Sequence, residues 1–401
     1  MLHSSRRDFL AAAAATAAAL APLGADAAKI VKGVFGNGDR PLVAFPQKRP
    51  LMVLTPRPPQ LETPFEVFDD GVLTPNDAFF VRWHLAGIPT SVDGAKHRIK
   101  VGGLVDHPLL LSLADLKKYE AVEVVAVNQC SGNSRGFFTP RVAGGEWQNG
   151  AMGNARWTGA RLQDILAKAG VQASAKQVQF HGLDGPVFPE TPAFRKSLDI
   201  GMATSNPDIV VAYEMNGEPL PLLNGYPVRL IVPGWFATYW VKMLTDITVL
   251  DHVDDNFWMK TAYRIPATPN ANVAPTDKGY ATIPINRMPV RSFITNLKDG
   301  ASLKAGNHVI RGIAFDGGSG IRAVQCSTDG GTSWTNTLLE ADYGPYSFRR
   351  WHTFVTAQAG TQMTFACRAQ AGDGSMQVAT PIWNASGYQR SSIESYKVSV
   401  S

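Results

Sequence analysis

Asn128-Gln129-Cys130-Ser131-Gly132-Asn133-Ser134-Arg135 packs more chemistry into fewer residues than any other segment of this 401-residue chain. A β-branched run feeds directly into a cysteine, and a glycine-containing loop then closes on an arginine. A thiolate placed there is a soft, anionic ligand for a thiophilic metal, and the arginine and exposed loop amides both favour deprotonation and attract anions. Loops at strand ends are also where functional residues concentrate. The other reading of Cys130 is a buried core residue, the commoner fate of an isolated cysteine. Within the same segment Gly132-Asn133-Ser134-Arg135-Gly136 fits the nucleophile-elbow spacing of serine hydrolases, but Phe137-Phe138-Thr139-Pro140 follows where that elbow needs a helix. The eight histidines show no close pairing such as His-Glu-x-x-His, which argues against zinc or mononuclear iron.

A strand has to lead into that loop, and Val122 to Asn128 has the β-branched pattern of one, as does Phe79 to His84. Amphipathic helices are predicted over Leu111 to Tyr119 and Arg161 to Ala169, so this block reads as α+β. From about Arg264 to Arg291, Pro266, Pro269, Pro275, Pro284 and Pro289 interrupt every periodicity, and the stretch is taken as a link between two blocks. Beyond it, alternating runs at 307–315, 321–327, 351–356 and 362–369, with turn chemistry at Asp316-Gly317-Gly318 and Asp329-Gly330-Gly331, predict an immunoglobulin-like β-sandwich. Ser327 to Trp334 is similar to the Asp-box of sialidases but occurs once, and a hairpin turn explains it better. Cys326 and Cys367 fall in these runs, where an inter-sheet disulfide and two separate buried thiols both stay open.

Hydrophobic residues make up 45% of the chain and charged residues 18%, enough to fill one large or two ordinary cores and to exclude disorder as the main state. The 37 glycines and 27 prolines, with many short alternating runs, exclude an all-helical fold. The net charge of +5 is scattered, with no run of five basic residues, so a small anion or an acidic protein fits better as partner than nucleic acid. Residues 1–27 stand apart: Ser5-Arg6-Arg7-Asp8-Phe9-Leu10, an alanine-rich apolar run to Leu20, and Ala25-Asp26-Ala27 form a twin-arginine export signal with its cleavage site. The apolar run is shorter than the roughly 20 residues a membrane helix needs, and no membrane span is expected elsewhere. Export implies a periplasmic mature protein. Three cysteines are too few for a disulfide framework there, and their odd count leaves at least one thiol for another duty.

The ordered set of motifs resembles the sulfite oxidase family of molybdopterin enzymes. Phe79-Phe80-Val81-Arg82-Trp83-His84 is similar to that family's early Phe-Phe-x-Arg-x-His motif, and Asn128 to Arg135 is similar to its cysteine motif. Gly150 to Gly159, Asn224-Gly225-Tyr226-Pro227-Val228-Arg229, and Val232-Pro233-Gly234 with Val241-Lys242 extend the likeness over most of residues 60–265. The resemblance implies an α+β protein: a mixed α/β molybdopterin-binding domain over 28–263, a link over 264–291, and an immunoglobulin-like dimerisation domain over 292–401. A homodimer is expected from that last domain.

Carried over residue by residue, the resemblance makes Cys130 the thiolate ligand of molybdenum, beside the dithiolene of one molybdopterin per chain. Cofactor binding falls to Phe80, Val81, Arg82, His84, Asp184, Asn224, Arg229, Trp240, Val241 and Lys242. Arg229 as a bidentate fork and Lys242 as a point charge suit a terminal phosphate. Arg82, Arg135, Trp147 and Tyr263 correspond to a pocket for a small anion beside the metal. The implied activity is oxidation of sulfite, or a related oxyanion, to sulfate. With no Cys-x-x-Cys-His attachment site and no cytochrome-like N-terminal segment, this chain is expected to hold no haem and to pass electrons singly to a separate c-type cytochrome. Two departures stand out. Trp383-Asn384-Ala385-Ser386-Gly387-Tyr388 has serine where vertebrate members have an arginine, so Arg349, Arg350 or Arg390 would have to supply that charge, and Asn224 replaces a histidine. The alternative enzyme is a related exported molybdopterin reductase acting on methionine sulfoxide, against which the added sandwich and the Arg82, Arg135 pair argue. A non-catalytic binding protein would leave the dense polar set of the first block without purpose.

Overall fold

A computed structural model describes residues 30–31, 40–43 and 45–401, so the expected export signal lies outside the described residues. Among them no helix is long and apolar enough to cross a membrane. In the sheet beneath the site, Ala121–Gln129 pairs antiparallel with Met152–Arg161, which pairs in turn with Val210–Met215. Arg229–Ile231 joins the same sheet through Val210–Ala212. The expected strand over 122–128 is therefore present and one residue longer at each end. Its outer half alternates in exposure, whereas Ala126 to Gln129 are all buried, because the strand runs from the surface into protein that covers both its faces. That inward course carries Cys130 into the interior. Gly153 on the neighbouring strand is required for packing: a Cβ there would lie 2.5 Å from the Phe79 ring, which is pressed flat against the backbone.

A second sheet runs in the order Arg195–Asp199, Gln177–Gly182, Leu244–Leu250, Ile99–Gly103, Leu109–Leu111, with one parallel pair between Leu244–Leu250 and Ile99–Gly103. The helix Leu162–Ala169 packs between this sheet and the first. It buries Leu162, Ile165, Leu166 and Ala169 at helical spacing, and Gly170 ends it at φ +71°. The other predicted helix, over 111–119, shrinks to the single turn Leu113–Leu116. Leu109–Leu111 is committed to a strand against Ile99–Val101, and a Ser112/Asp115 capping box starts the turn immediately after it. The strand predicted over 79–84 is likewise only Val81–Arg82, paired with Gln60–Leu61. Phe79, Phe80 and Trp83 around it are buried by side-chain packing instead of a ladder.

The second block is the expected sandwich. Arg291–Ile294, Gly306–Phe315, Arg349–Ala357 and Leu338–Leu339 form one sheet; Ala301–Leu303, Ser395–Val400, Gln362–Ala371, Ile321–Ser327 and Thr335–Asn336 form the other. The Asp329 segment is a turn, closed by the Ser333 amide donating to Asp329 Oδ1 at 3.0 Å. The inter-sheet disulfide is not formed. Cys326 and Cys367 lie opposite each other on neighbouring strands of one sheet, both buried as free thiols. The proline-rich stretch is no loose tether either: Arg264–Pro266 pairs with Thr282–Pro284, and Ile265, Ala271, Ile285 and Met288 enter the main core. That core is continuous across the blocks, from Phe68, Phe79 and Trp157 to Phe293, Ile313, Phe315 and Phe348. Arg311 of the sandwich adds a charged tie, its Nε donating to Asp69 at 3.1 Å.

Candidate functional site

Phe80, Arg82, His84, Cys130, Asn224, Arg229, Lys242 and Tyr263 meet in one cavity, whose wall Ser131, Leu223, Ala237 and Thr238 complete. Each arrives at the end of a short element. Arg82 ends the two-residue strand, Asn224 closes the turn Leu222–Asn224, Arg229 opens a strand, and Tyr263 directly precedes Arg264–Pro266. Tyr263 sits at φ +57°, a left-handed conformation that a non-glycine residue holds only when its surroundings fix it. They do so here: Tyr388 stacks on its ring at 5.3 Å and His84 meets it edge-on at 5.2 Å.

The cysteine loop is set by its own backbone. Cys130 N–H donates to the Ala151 carbonyl at 2.9 Å, the Cys130 carbonyl accepts from Asn133 at 3.0 Å, and Arg135 N–H donates to Gly132 at 3.0 Å. Ser134 occupies the left-handed region at φ +68° and is fully buried, its hydroxyl donating to Asn149 Oδ1 at 2.5 Å. A 3-10 turn, Arg135–Phe137, follows it. With neither the helix nor an exposed hydroxyl, the serine-hydrolase elbow is not built.

Positive charge dominates the lining. Arg229 donates from Nη1 to the Asn224 carbonyl at 2.9 Å and from Nη2 to the Trp240 carbonyl at 3.1 Å, and its guanidinium lies 5.2 Å from the Trp157 ring centre. Burial lowers its pKa to about 9, which leaves it charged at neutral pH. Lys242 lies 4.6 Å from the Trp83 ring centre, and burial, then the Arg229 charge, push it down to about 7. His84 is held well below its usual pKa by burial and then by Arg82, Lys242 and Lys196, so it is neutral. Tyr263 is pushed upward by burial and keeps its proton. Arg82 Nη1, His84 Nε2, Ser131 Oγ, Arg229 Nε and Thr238 Oγ1 are all buried without a partner in the chain. Leaving such atoms unpaired costs about 1–3 kcal/mol each, so this lining is made for a polar, anionic occupant. Among the described residues no three His, Cys, Asp or Glu side chains converge. Cys130 is thus a single soft ligand, and the site fits a phosphate-bearing cofactor that brings its other metal ligands with it.

Six of the residues singled out from sequence do not line the cavity. Val81 is buried in a satellite core with Leu51, Leu61, Trp83 and Met243. Trp240 and Val241 stand behind the wall, Trp240 holding Arg229 through its carbonyl and Val241 accepting from Leu230 N–H at 2.8 Å. Asp184 is a buried carboxyl facing Lys242, raised in pKa by burial. Trp147 is 1% exposed and accepts from Gly136 N–H at 3.0 Å, which makes it a support beneath the cysteine loop. Arg135 lies in a slot beside Tyr388, its guanidinium 4.9 Å from that ring centre and its Nε donating to Gly387 at 3.3 Å. Three glycines form the slot: a Cβ on Gly132 or Gly144 would fall 2.6 Å from the guanidinium, and one on Gly387 would fall 2.8 Å from Arg135 Cγ. None of the arginines considered as substitutes at Ser386 reaches the cavity. Arg349 pairs with Asp342 at 2.9 Å, Arg350 with Glu340 at 3.3 Å, and Arg390 with Glu394.

Other residues enter that the sequence did not reveal. Lys48 is buried and donates to the carbonyls of Asn76 at 2.6 Å and Phe79 at 3.0 Å and to Asn224 Oδ1. Lys196 donates to the Trp258 carbonyl at 2.8 Å and lies 5.6 Å from the Tyr263 ring centre. Burial pushes both lysines down to about 7. Tyr388, inside the closing segment, stands between Tyr263, on which it stacks, and Arg135.

Known proteins share this arrangement of domains. The oxidoreductase molybdopterin-binding domain matches residues 85–258, and the Mo-co oxidoreductase dimerisation domain matches residues 282–400. Mitochondrial sulfite oxidase of Mus musculus is 34% identical over 357 residues, covering 84% of this chain and 63% of that protein. The chain therefore spans less than two thirds of that relative's length. Sulfite oxidase of Gallus gallus is 34% identical over 363 residues, covering 86% of this chain and 78% of that protein. Among solved structures, the sulfane dehydrogenase SoxCD from Paracoccus pantotrophus has the same fold, with a TM-score of 0.72 at 24% identity over 86% of this chain and 85% of that one.

Proposed function

Because this chain belongs to the sulfite oxidase family of molybdopterin enzymes, we propose that it oxidises sulfite, or a closely related small sulfur oxyanion, to sulfate at a molybdenum held by Cys130 and one molybdopterin. The observation that carries this reading is the meeting of a single thiol, a cationic wall and five unpartnered buried polar atoms in one cavity. Molybdenum, when bound, supplies the two-electron redox couple. The chain's own residues do the rest. Arg229 and Lys242 hold the phosphate of the cofactor while Lys48 fixes Asn224 through its Oδ1, and the neutral His84 offers its unpartnered Nε2 to a polar atom of the pterin. Arg82 in the cavity wall, and Arg135 in its glycine slot beside it, draw in the anion; a charge that comes within about 4 Å of the anion contributes on the order of 4 kcal/mol per unit charge at an effective dielectric near 20, before desolvation is subtracted. Tyr263, protonated, is a hydrogen-bond donor to a substrate oxygen and, with Tyr388, a rigid wall.

Sulfite and water give sulfate, two protons and two electrons, and the electrons leave one at a time to a separate c-type cytochrome. The twin-arginine segment supports a periplasmic setting for that exchange. A homodimer fits the dimerisation domain, and the sandwich offers an apolar face for it: Phe354, Leu338 and Val309 are 68%, 56% and 40% exposed. Phe354 pairs with Val309, and Leu338 pairs with His352, two residues from Phe354 along the strand, so the three side chains share the outer side of one sheet.

The test is sulfite-dependent reduction of cytochrome c by the purified protein, with molybdenum measured on the same sample and Cys130→Ser as control. Turnover that is lost in C130S supports the reading. A molybdenum-loaded protein that ignores sulfite overturns the substrate and directs attention to sulfoxide reduction.

A further inference from the structure

Arg291, the first residue of the sandwich's first strand, is 1% exposed and reaches out of its own domain into the cysteine loop. Its Nη1 donates to Gln129 Oε1 at 3.3 Å and its Nη2 to Ser134 Oγ at 3.0 Å. Gln129 and Ser134 are the residues immediately before Cys130 and Arg135. One planar fork therefore grips the loop at both ends, next to the candidate metal ligand and next to the candidate anion-binding arginine. The grip continues inward: Gln129 Oε1 also accepts from Asn133 Nδ2 at 3.1 Å, and Asn133 Oδ1 accepts from Ala151 N–H at 3.0 Å. Behind the fork, Glu394 lies 3.5 Å from Nη2 and also pairs with Arg390, while the Phe293 ring centre is 4.4 Å from the guanidinium carbon.

Packing alone does not call for this side chain, because a large apolar residue fills a buried site at least as favourably as a desolvated ion pair. What guanidinium adds is two directional donors in fixed geometry. The loop needs them at Ser134, whose left-handed backbone has no glycine to relieve it and persists only if its side chain is held. We propose that Arg291 is a positioning residue of the active site, through which the sandwich domain sets the placement of Cys130 and Arg135. The inference rests on the sulfite-oxidising reading for its kinetic consequence, though not for its structural one.

The test compares the cofactor-loaded full chain with Arg291→Met and with the milder Arg291→Lys, which keeps a charge for Glu394 but replaces the fork with a point. Backbone hydrogen exchange is followed in residues 130–137 and, as reference, in the helix Leu162–Ala169, alongside KM and kcat for sulfite. Faster exchange confined to the loop, with KM for sulfite raised about tenfold as displaced groups predict, supports the proposal. Exchange and KM like wild type in R291K, or in a folded R291M that has lost only melting temperature, overturns it. If the wild-type protein itself does not oxidise sulfite, the substrate reading fails, while loop exchange still decides the role of Arg291.

Discussion

Replacing Gly132 by alanine puts a methyl carbon 2.6 Å from Cζ and Nη2 of Arg135 and 2.9 Å from Nη1. Gly132 is not among the positive-φ glycines, so its backbone accepts alanine, and the nearest conflict is with the guanidinium. Comfortable contact between such atoms is near 3.5 Å, so the charge must retreat by about 0.9 Å within a slot that Gly144, Gly387 and Tyr388 bound on its other sides. For an anion first held at about 4 Å, that retreat lowers the attraction from about 4.2 to about 3.4 kcal/mol per unit charge at an effective dielectric of 20. A doubly charged sulfite thus loses about 1.5 kcal/mol, or roughly tenfold in affinity. The assay is steady-state sulfite oxidation at fixed ionic strength, with Gly201→Ala as control, since a Cβ there meets nothing within 4 Å. KM is expected to rise about tenfold in G132A with kcat little changed. An unchanged KM in fully loaded G132A, or an equal rise in G201A, would refute the argument that the glycine slot places this charge.

Tyr388→Leu removes the ring beneath Arg135 and is expected to raise KM for sulfite several-fold, for a cation–π contact of about 1 kcal/mol, whereas Tyr388→Phe keeps the ring and stays near wild type; equal effects of the two would locate the role in the hydroxyl. Lys48→Met removes a buried cation and the partner of Asn224 Oδ1, and the molybdenum-to-protein ratio of the purified variant is expected to fall; full loading would show that Lys48 serves the fold only. Burial lowers Lys48 and Lys196 from the usual 10.5 to about 7, so between those values the unfolded chain holds protons that the folded chain has released. Stability of the cofactor-free protein therefore rises with pH across that window, by about 1.4 kcal/mol per pH unit for each lysine, and below about pH 7 the full cost of burying both charges remains. Melting temperatures from pH 6 to 9 check this: a rise that flattens in Lys48→Met and Lys196→Met is expected, and a wild-type fall over the same range contradicts it.

Where periodicity and burial coincide, the sequence is legible: Val122 to Asn128 and Arg161 to Ala169 are found almost residue for residue. Leu111 to Tyr119 misleads because its apolar spacing is shared between a strand that ends at Leu111 and a turn that Ser112 starts. Phe79 to His84 misleads for the opposite reason, since aromatic residues buried on every side need no strand to hold them. The cavity residues, from Phe80 to Tyr263, come together only by tertiary folding, and it was likeness to known motifs, not periodicity, that selected them. Lys48, Lys196 and Arg291 escaped because a buried lysine or arginine has the same letter as a surface one, and Tyr388 because its ring partners Tyr263 and Arg135 are remote in sequence. Nothing local distinguishes Arg291, whose two partners in the cysteine loop lie more than 150 positions away.

The shared apolar core has a consequence for the order in which the protein can be made. Residues 45–263 leave the ribosome first, with the face that Phe293, Ile313, Phe315 and Phe348 will cover still open to water. The cofactor-holding half cannot reach its final packing as an independent unit during translation, and Tyr388, Arg291 and Glu394 reach the site later still. A product that stops before the sandwich exposes the apolar face that Phe293, Ile313, Phe315 and Phe348 cover in the full chain.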